Sequence, residues 1–192
     1  MRITGGLARG IVLDVPKKGE VRPATDFVRE RIFGRLATAI QGAHVLDCFA
    51  GTGAYGLEAL SRGAQQVCFL EKDPNVVVSL RNNCEKVCKS AQRDVRTCTR
   101  IISMDVFHFD LSRLESPVNY VFFDPPYRFW EEILDNILSF FEKLSKIFPE
   151  AQMVVEYPSQ FVWTEQIPWK PIYPLDTHLK TNAPGINLFR KR

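Results

Sequence analysis

No CxxC pair, no long apolar run and no internal repeat occurs in the 192-residue sequence. The five cysteines, Cys48, Cys68, Cys84, Cys88 and Cys98, are odd in number and have no Cys or His partners at zinc spacing. That excludes a disulfide framework and a zinc module, and points to reduced, buried thiols. His44, His108 and His178 stand isolated, so no catalytic Cys–His pair and no metal site is expected. No stretch approaches the roughly 20 apolar residues of a membrane helix. The opening MRITGGLARG lacks the apolar centre of a signal peptide. A cytoplasmic protein with no membrane partner is expected. With 45% hydrophobic and 24% charged residues, the composition excludes disorder, collagen and coiled coil as the main state. The length suits one domain, residues 1–192, with a single core.

Charge is scarce overall, at +3, but unevenly placed. Residues 1–40 hold eight Lys or Arg against four Asp or Glu, and the other 152 residues hold 17 against 18. The whole excess lies in an N-terminal arm, as a polyanion-facing segment on a near-neutral body requires. An ordinary solvated surface segment has the same charge signature. On composition, Arg2, Arg9, Lys17, Lys18, Arg22 and Arg29 are candidate phosphate partners.

Residues 1–15 read as two short strands around a glycine turn, and residues 16–24 as a loop containing Pro and Lys. A helix begins at Thr25 or Asp26, carries Phe27, Val28, Ile32, Phe33, Leu36 and Ile40 near helical spacing, and ends at Gly42. From residue 43 the pattern alternates. HVLDCF is a strand, AGTGAYG a turn, GLEALSRG a short helix and QVCFLEK a strand. A helix from Pro74 to Cys88 follows, then the strands TRIISMD and NYVFFD. WEEILDNILSFFEKLSKI is an amphipathic helix, AQMVVEYP a strand, and WKPIYPLD with GINLFRKR a final antiparallel pair. This is an α/β, Rossmann-like, doubly wound sheet over residues 43–192, with its ligand at the carboxyl ends of the strands.

Gly51, Gly53 and Gly56 form G-x-G-x-x-G between a strand and a helix. Bare backbone there lets a ligand approach a helix N-terminus. Dinucleotide dehydrogenases and S-adenosylmethionine (AdoMet) methyltransferases both use such a turn. Asp47, four residues before Gly51, favours the second class: a carboxylate repels a pyrophosphate but attracts the ammonium or sulfonium of AdoMet. Glu71 ends the next strand, where it suits the ribose hydroxyls. Asp105 ends the third and suits the adenine amine, with the backbone of Met104 and Val106 at the ring edge. The expected AdoMet-binding set is Asp47, Ala50, Gly51, Thr52, Gly53, Glu71, Lys72, Met104, Asp105 and Val106.

Asp124-Pro125-Pro126-Tyr127 follows the apolar strand NYVFF directly. Two prolines stop the strand and fix a rigid loop. There the Asp124 carboxylate and the Pro125 carbonyl can accept both hydrogens of an exocyclic amine, and Tyr127 offers an aromatic face. Such an amine is a poor nucleophile because its lone pair is delocalised. Two acceptors pull the nitrogen toward tetrahedral geometry and stabilise the positive charge of transfer, by positioning and electrostatics alone. Stacking on Tyr127 is worth ~1–3 kcal/mol.

Taken together, MRITGGLARGIVLDVP, RPATDFVRERIF, VLDCFAGTGAYGLEALSRGA, FLEKD and FFDPPY resemble the RsmD-like bacterial methyltransferases nearly end to end. The arm RPATDFVRE discriminates, because generic amine methyltransferases share only the glycine turn and DPPY. The resemblance implies a class I AdoMet-dependent methyltransferase fold with sheet order 3-2-1-4-5-7-6, mostly parallel with the last strand antiparallel, plus a short N-terminal β-hairpin and helix arm over residues 1–40. It implies methylation of the N2 amine of a guanine in small-subunit (16S) ribosomal RNA, within an assembled or partly assembled subunit. Asp124 to Tyr127 would hold the guanine, and Arg22, Thr25, Asp26, Arg29 and Glu30 would border the entrance. Arg2, Arg9, Arg22, Thr25 and Arg29 are the expected RNA-binding set, and the default state is a monomer. Two departures bear on target choice: Ala24 replaces a second Thr, and TNAPGIN replaces a Tyr-Gly-Asp-like turn. A methyltransferase of adenine N6 or of another RNA or DNA amine, and a non-enzymatic RNA-binding assembly factor on the same fold, are the competing readings.

Overall fold

A computed structural model describes residues 1–16, 26–126, 130–163, 167–174 and 185–192. Helix α1 spans Asp26–Leu36, strand β1 His44–Asp47, α2 Ala54–Ser61, β2 Gln66–Glu71, α3 Pro74–Ser90, α4 Val95–Cys98 and β3 Thr99–Ser103. Strand β4 spans Tyr120–Phe123, α5 Leu134–Ile147, β5 Gln152–Tyr157, β6 Trp169–Pro174 and β7 Gly185–Lys191. The strands form one sheet in the order β3-β2-β1-β4-β5-β7-β6. β3 to β5 pair in parallel, and β7 runs antiparallel to both β5 and β6. Parallel strands flanked by helices, then an antiparallel hairpin, are the architecture expected from the alternation and the terminal pair.

Successive strand residues point to opposite faces, and the core divides accordingly. Val45, Val67, Phe69, Tyr120, Phe122 and Val154 pack with α1, α2, α3 and the arm. Leu46, Cys68, Leu70, Val121, Phe123, Met153 and Val155 pack with α5 on the other face. Both faces are covered, so the strands are apolar throughout.

Local chemistry sets the boundaries. Asp73 caps α3 by accepting the Asn75 N–H at 2.8 Å, with Pro74 in the first turn. α1 ends at Leu36 and gives way to a 3-10 turn, Ala37–Ile40, before Gly42, so the single helix expected up to Gly42 is two segments. The expected N-terminal hairpin holds one isolated bridge, Arg2 with Val12. Its Ile3, Ala8 and Leu13 are nonetheless buried in the core.

Gly56 lies inside α2 rather than in the turn. An added Cβ would sit 2.3 Å from Phe69 Cε1 and 2.7 Å from Val67 Cγ1, so this glycine lets α2 lie flat on β2. Gly56→Ala is expected to cost about 1–3 kcal/mol by overpacking. A fall of several degrees in melting temperature checks it, and an unchanged value refutes it.

Candidate active site

The carboxyl ends of β1, β2, β3 and β4 meet along one edge of the sheet. β1 delivers Asp47 and the glycine loop. Gly51 and Gly53 have φ of 53° and 87°, left-handed values that favour glycine. At Gly53 an added Cβ would also press into Leu80 and Leu57. The Gly53 N–H donates to the Ala50 carbonyl at 2.7 Å, and the Ala50 N–H to the Leu70 carbonyl at 3.0 Å. The loop is therefore a tight, braced turn opening onto α2.

Two carboxylates hold that turn. Asp47 is buried and its Oδ2 accepts the Gly56 N–H at 2.9 Å. Glu71 Oε2 accepts the Gly51 N–H and Oε1 the Asp73 N–H, both at 2.9 Å. A carboxylate has about four lone-pair sites, so Glu71 keeps acceptor capacity for ribose hydroxyls. Asp105 accepts the Phe107 N–H at 3.0 Å and pairs with Lys72 Nζ at 3.2 Å. The Met104 N–H already donates to the Glu71 and Ile102 carbonyls, both at 3.1 Å. Met104 is partly exposed, and Val106 turns its side chain into the core. Buried Thr52 Oγ1 has no hydrogen-bond partner among the described residues, and a polar atom left so calls for one. A loop of bare backbone, an orphaned hydroxyl and three strand-end carboxylates fit a cationic nucleoside such as AdoMet.

Asp124 stands half-buried just beyond β4, followed by buried Pro125 and exposed Pro126. Burial pushes its carboxyl well above the usual range, and the neighbouring charges of Glu156 and Asp47 add to this. Asp47 itself is pushed up to about 7, chiefly by burial, against the Gly56 N–H and with help from Glu71. Tyr127 lies outside the described residues. Past the loop, a cavity of about 530 Å³ is lined by Trp130, Glu131, Glu132, Pro158, Phe161 and Val162 among others.

Arg2 and Arg9 are exposed, Arg2 beside Asp26 at 3.5 Å. Arg29 is a correction. It has no exposed surface to offer a phosphate; its guanidinium donates to Asp26 Oδ1 at 2.7 Å and to the Arg2 carbonyl at 2.6 Å. Its place in the helix periodicity, one residue after Val28, puts it on the core-facing side. Lys17, Lys18, Arg22, Ala24, Thr25 and the residues 181–184 of the C-terminal turn lie outside the described residues.

Sequence reasoning missed the residues that fasten the arm. Glu58, fully buried on α2, accepts from Thr4 N–H, Thr4 Oγ1, Gly5 N–H and Arg62 Nε at 2.7–2.9 Å. Asn83 on α3 accepts the Asp14 N–H at 2.7 Å and donates to the Asp14 and Thr52 carbonyls, both at 3.0 Å. The one available signal was the spacing of Glu58 and Arg62 at i and i+4, which also describes a solvated helix face.

This sheet order, with its glycine loop after β1 and DPP after β4, defines the fold of the class I AdoMet-dependent methyltransferases. The family model described as conserved hypothetical protein 95 matches residues 1–173. The chain is 38% identical over 156 residues to ribosomal RNA small subunit methyltransferase D of Escherichia coli K12, covering 81% of this chain and 74% of that relative. The namesake from Haemophilus influenzae is 35% identical over 162 residues, covering 81% and 78%. A solved structure of the Escherichia coli protein yhhF superposes with a TM-score of 0.79 at 32% identity, covering 100% of this chain and 98% of that one. The chain belongs to the RsmD-like methyltransferase family. Among the described residues, no helix is long and apolar enough to cross a membrane.

Proposed function

We propose that this protein is an AdoMet-dependent methyltransferase acting on the N2 amine of a guanine in small-subunit ribosomal RNA. The observation that carries the reading is the placement of Asp124 and Pro125 at the strand-end edge that also holds the glycine loop, Asp47 and Glu71. The names of the relatives support the ribosomal substrate.

AdoMet, when bound, supplies an activated methyl group on its sulfonium. The chain's residues do the rest. The loop 50–53 and Asp47 would hold the methionine part, Glu71 the ribose and Asp105 the adenine. The Asp124 carboxylate and the Pro125 carbonyl would hold the amine for transfer, and Tyr127 would offer its ring to the base. No covalent enzyme intermediate is needed. Exposed Arg2 and Arg9, together with Lys17, Lys18, Arg22 and Thr25 of the arm, would supply the contacts to the RNA. The small size of this basic surface suits a monomer acting on an assembled subunit, where ribosomal proteins add contacts.

Labelled methyl transfer to unmethylated small subunits, and to the same RNA stripped of protein, tests the reading. N2-methylguanosine from subunits alone supports both the base and the need for protein context. From both substrates, it keeps the base and removes that need. N6-methyladenosine establishes the adenine reading instead. No transfer, with no stabilisation by AdoMet, leaves a non-enzymatic assembly factor. A true binder gains about 2.7 kcal/mol at 100 times its dissociation constant, several degrees in melting temperature.

The charge of AdoMet sets the sign of a pH effect. A sulfonium or ammonium beside Asp47 favours the ionised carboxylate, so binding releases a proton and tightens as pH rises through about 7. If only ionised Asp47 is competent, affinity rises about tenfold from pH 6 to pH 8. Calorimetry at the two values checks this, and a pH-independent dissociation constant refutes it.

A further inference from the structure

One buried carboxylate near the transfer site has no part in the scheme above. Glu156 stands on β5 at 5% exposure. The parallel register pairs Phe123 with Val155, which brings Asp124 alongside Glu156 at the ends of neighbouring strands. Tyr55 of α2 donates its hydroxyl to Glu156 Oε2 at 2.7 Å. Tyr55 is itself buried and stacks on Phe122 of β4, centroids 5.2 Å apart and planes 11° apart. Asp47 of β1 is the third carboxyl of the group, with Glu71 of β2 acting on it, and β7 sets Ile186 opposite Glu156.

We infer that Glu156 is a positioning residue acting through Asp124, so that the two carboxyls form a pair that takes up the proton released by the methylated amine. The inference rests on the reading of Asp124 as the residue that holds the amine. As the nitrogen–carbon bond forms, the sulfur–carbon bond breaks and its electron pair stays on sulfur. The nitrogen then carries the methyl group, both hydrogens and a positive charge. One N–H proton passes to an Asp124 oxygen, and the N–H electron pair returns to nitrogen. The proton later leaves Asp124 for water. A lone aspartate engaged by an amine is a weak base. A negative charge beside it makes it a stronger one, the direction in which Glu156 acts on Asp124. Adjacent carboxyls titrate as a pair, and an ionised pair takes up its first proton more readily than a lone carboxylate does.

Glu156→Gln keeps the volume and an acceptor for Tyr55 but removes the charge. With unmethylated small subunits, kcat is expected to fall roughly 10²-fold, the lower end of what a positioned base supplies. The acidic limb of the kcat–pH profile moves to lower pH, because Asp124 then ionises more easily. AdoMet affinity and melting temperature stay near wild type. A purely structural Glu156 moves neither kcat nor the limb, and that result overturns the inference. Should Glu156→Gln fail to fold, Glu156→Asp, which draws the charge back from Asp124, is expected to move the acidic limb to lower pH by a smaller step; an unmoved limb overturns the inference equally. Absence of transfer by the wild-type protein in the same assay refutes the functional reading instead.

Discussion

Asp124→Ala is expected to abolish methyl transfer and to leave AdoMet binding largely intact. The substitution removes a carboxylate acceptor for the amine and leaves the glycine loop, Asp47 and Glu71 in place. Their hydrogen bonds from Gly56, Gly51 and Asp73 do not pass through Asp124. Removing one preorganised polar group from a transfer site costs about 10²–10³-fold in kcat. Here the loss is expected at or beyond the upper end, because the Pro125 carbonyl alone cannot fix the orientation of the nitrogen. Asp124→Asn offers one acceptor oxygen in the same volume but no charge, and falls between. Single-turnover transfer beside AdoMet titration measures both quantities. Retained transfer in Asp124→Ala defeats the mechanism. Loss of AdoMet binding in step with transfer reassigns Asp124 to the cofactor.

The largest stability effect is expected at Glu58, which no sequence motif marks. Its carboxylate is the shared acceptor for Thr4, Gly5 and Arg62, and it lies 3.9 Å from Arg29 Nε. Both Glu58 and Arg29 are fully buried. Glu58→Ala leaves two backbone N–H groups without their acceptor and a buried guanidinium short of one of its carboxylates. Breaking a buried pair by removing one partner costs about 3–5 kcal/mol. For a chain of this size each kcal/mol lowers the melting temperature by about 2–4 °C, so a fall of about 10 °C is expected. The arm should loosen first, since Thr4 and Gly5 belong to it. Amide exchange at those two positions resolves this from global unfolding. A melting temperature within about 2 °C of wild type would show that the pair contributes no net stability.

Arg29 and Glu58 also mark where sequence reading stops. The charge asymmetry drew Arg29 toward the RNA with its neighbours, since composition counts charges and does not say which way they face. Burial reverses the assignment: Arg29 is a strut between Asp26, the Arg2 carbonyl and α2. Arg2 and Arg9 carry equal charge and keep their exposure. Gly56 moved for a related reason. The G-x-G-x-x-G spacing placed it in the turn, while the close approach of Phe69 and Val67 places it in a helix–sheet contact.

The local signals were legible because they are enforced locally. Apolar runs bounded by glycine and proline placed β1 to β5 to within about two residues, the usual margin at element ends, and β6 and β7 followed from the terminal pair to the same margin. The glycine turn, the strand-end carboxylates and the double proline have covalent and short-range causes, so their places in the chain follow from spacing. What only the tertiary structure decided involves residues far apart in sequence. Glu58 meets Thr4 across 54 positions, Asn83 meets Asp14 across 69, and Tyr55 meets Glu156 across 101. Each is a polar group that water would satisfy in an open chain. Only packing of the arm and helices against the sheet removes that water and forces a specific partner. The sequence by itself therefore determined the class of fold and the candidate transfer chemistry; tertiary packing decided which charges stay exposed, what holds the arm down, and which carboxylate stands beside Asp124.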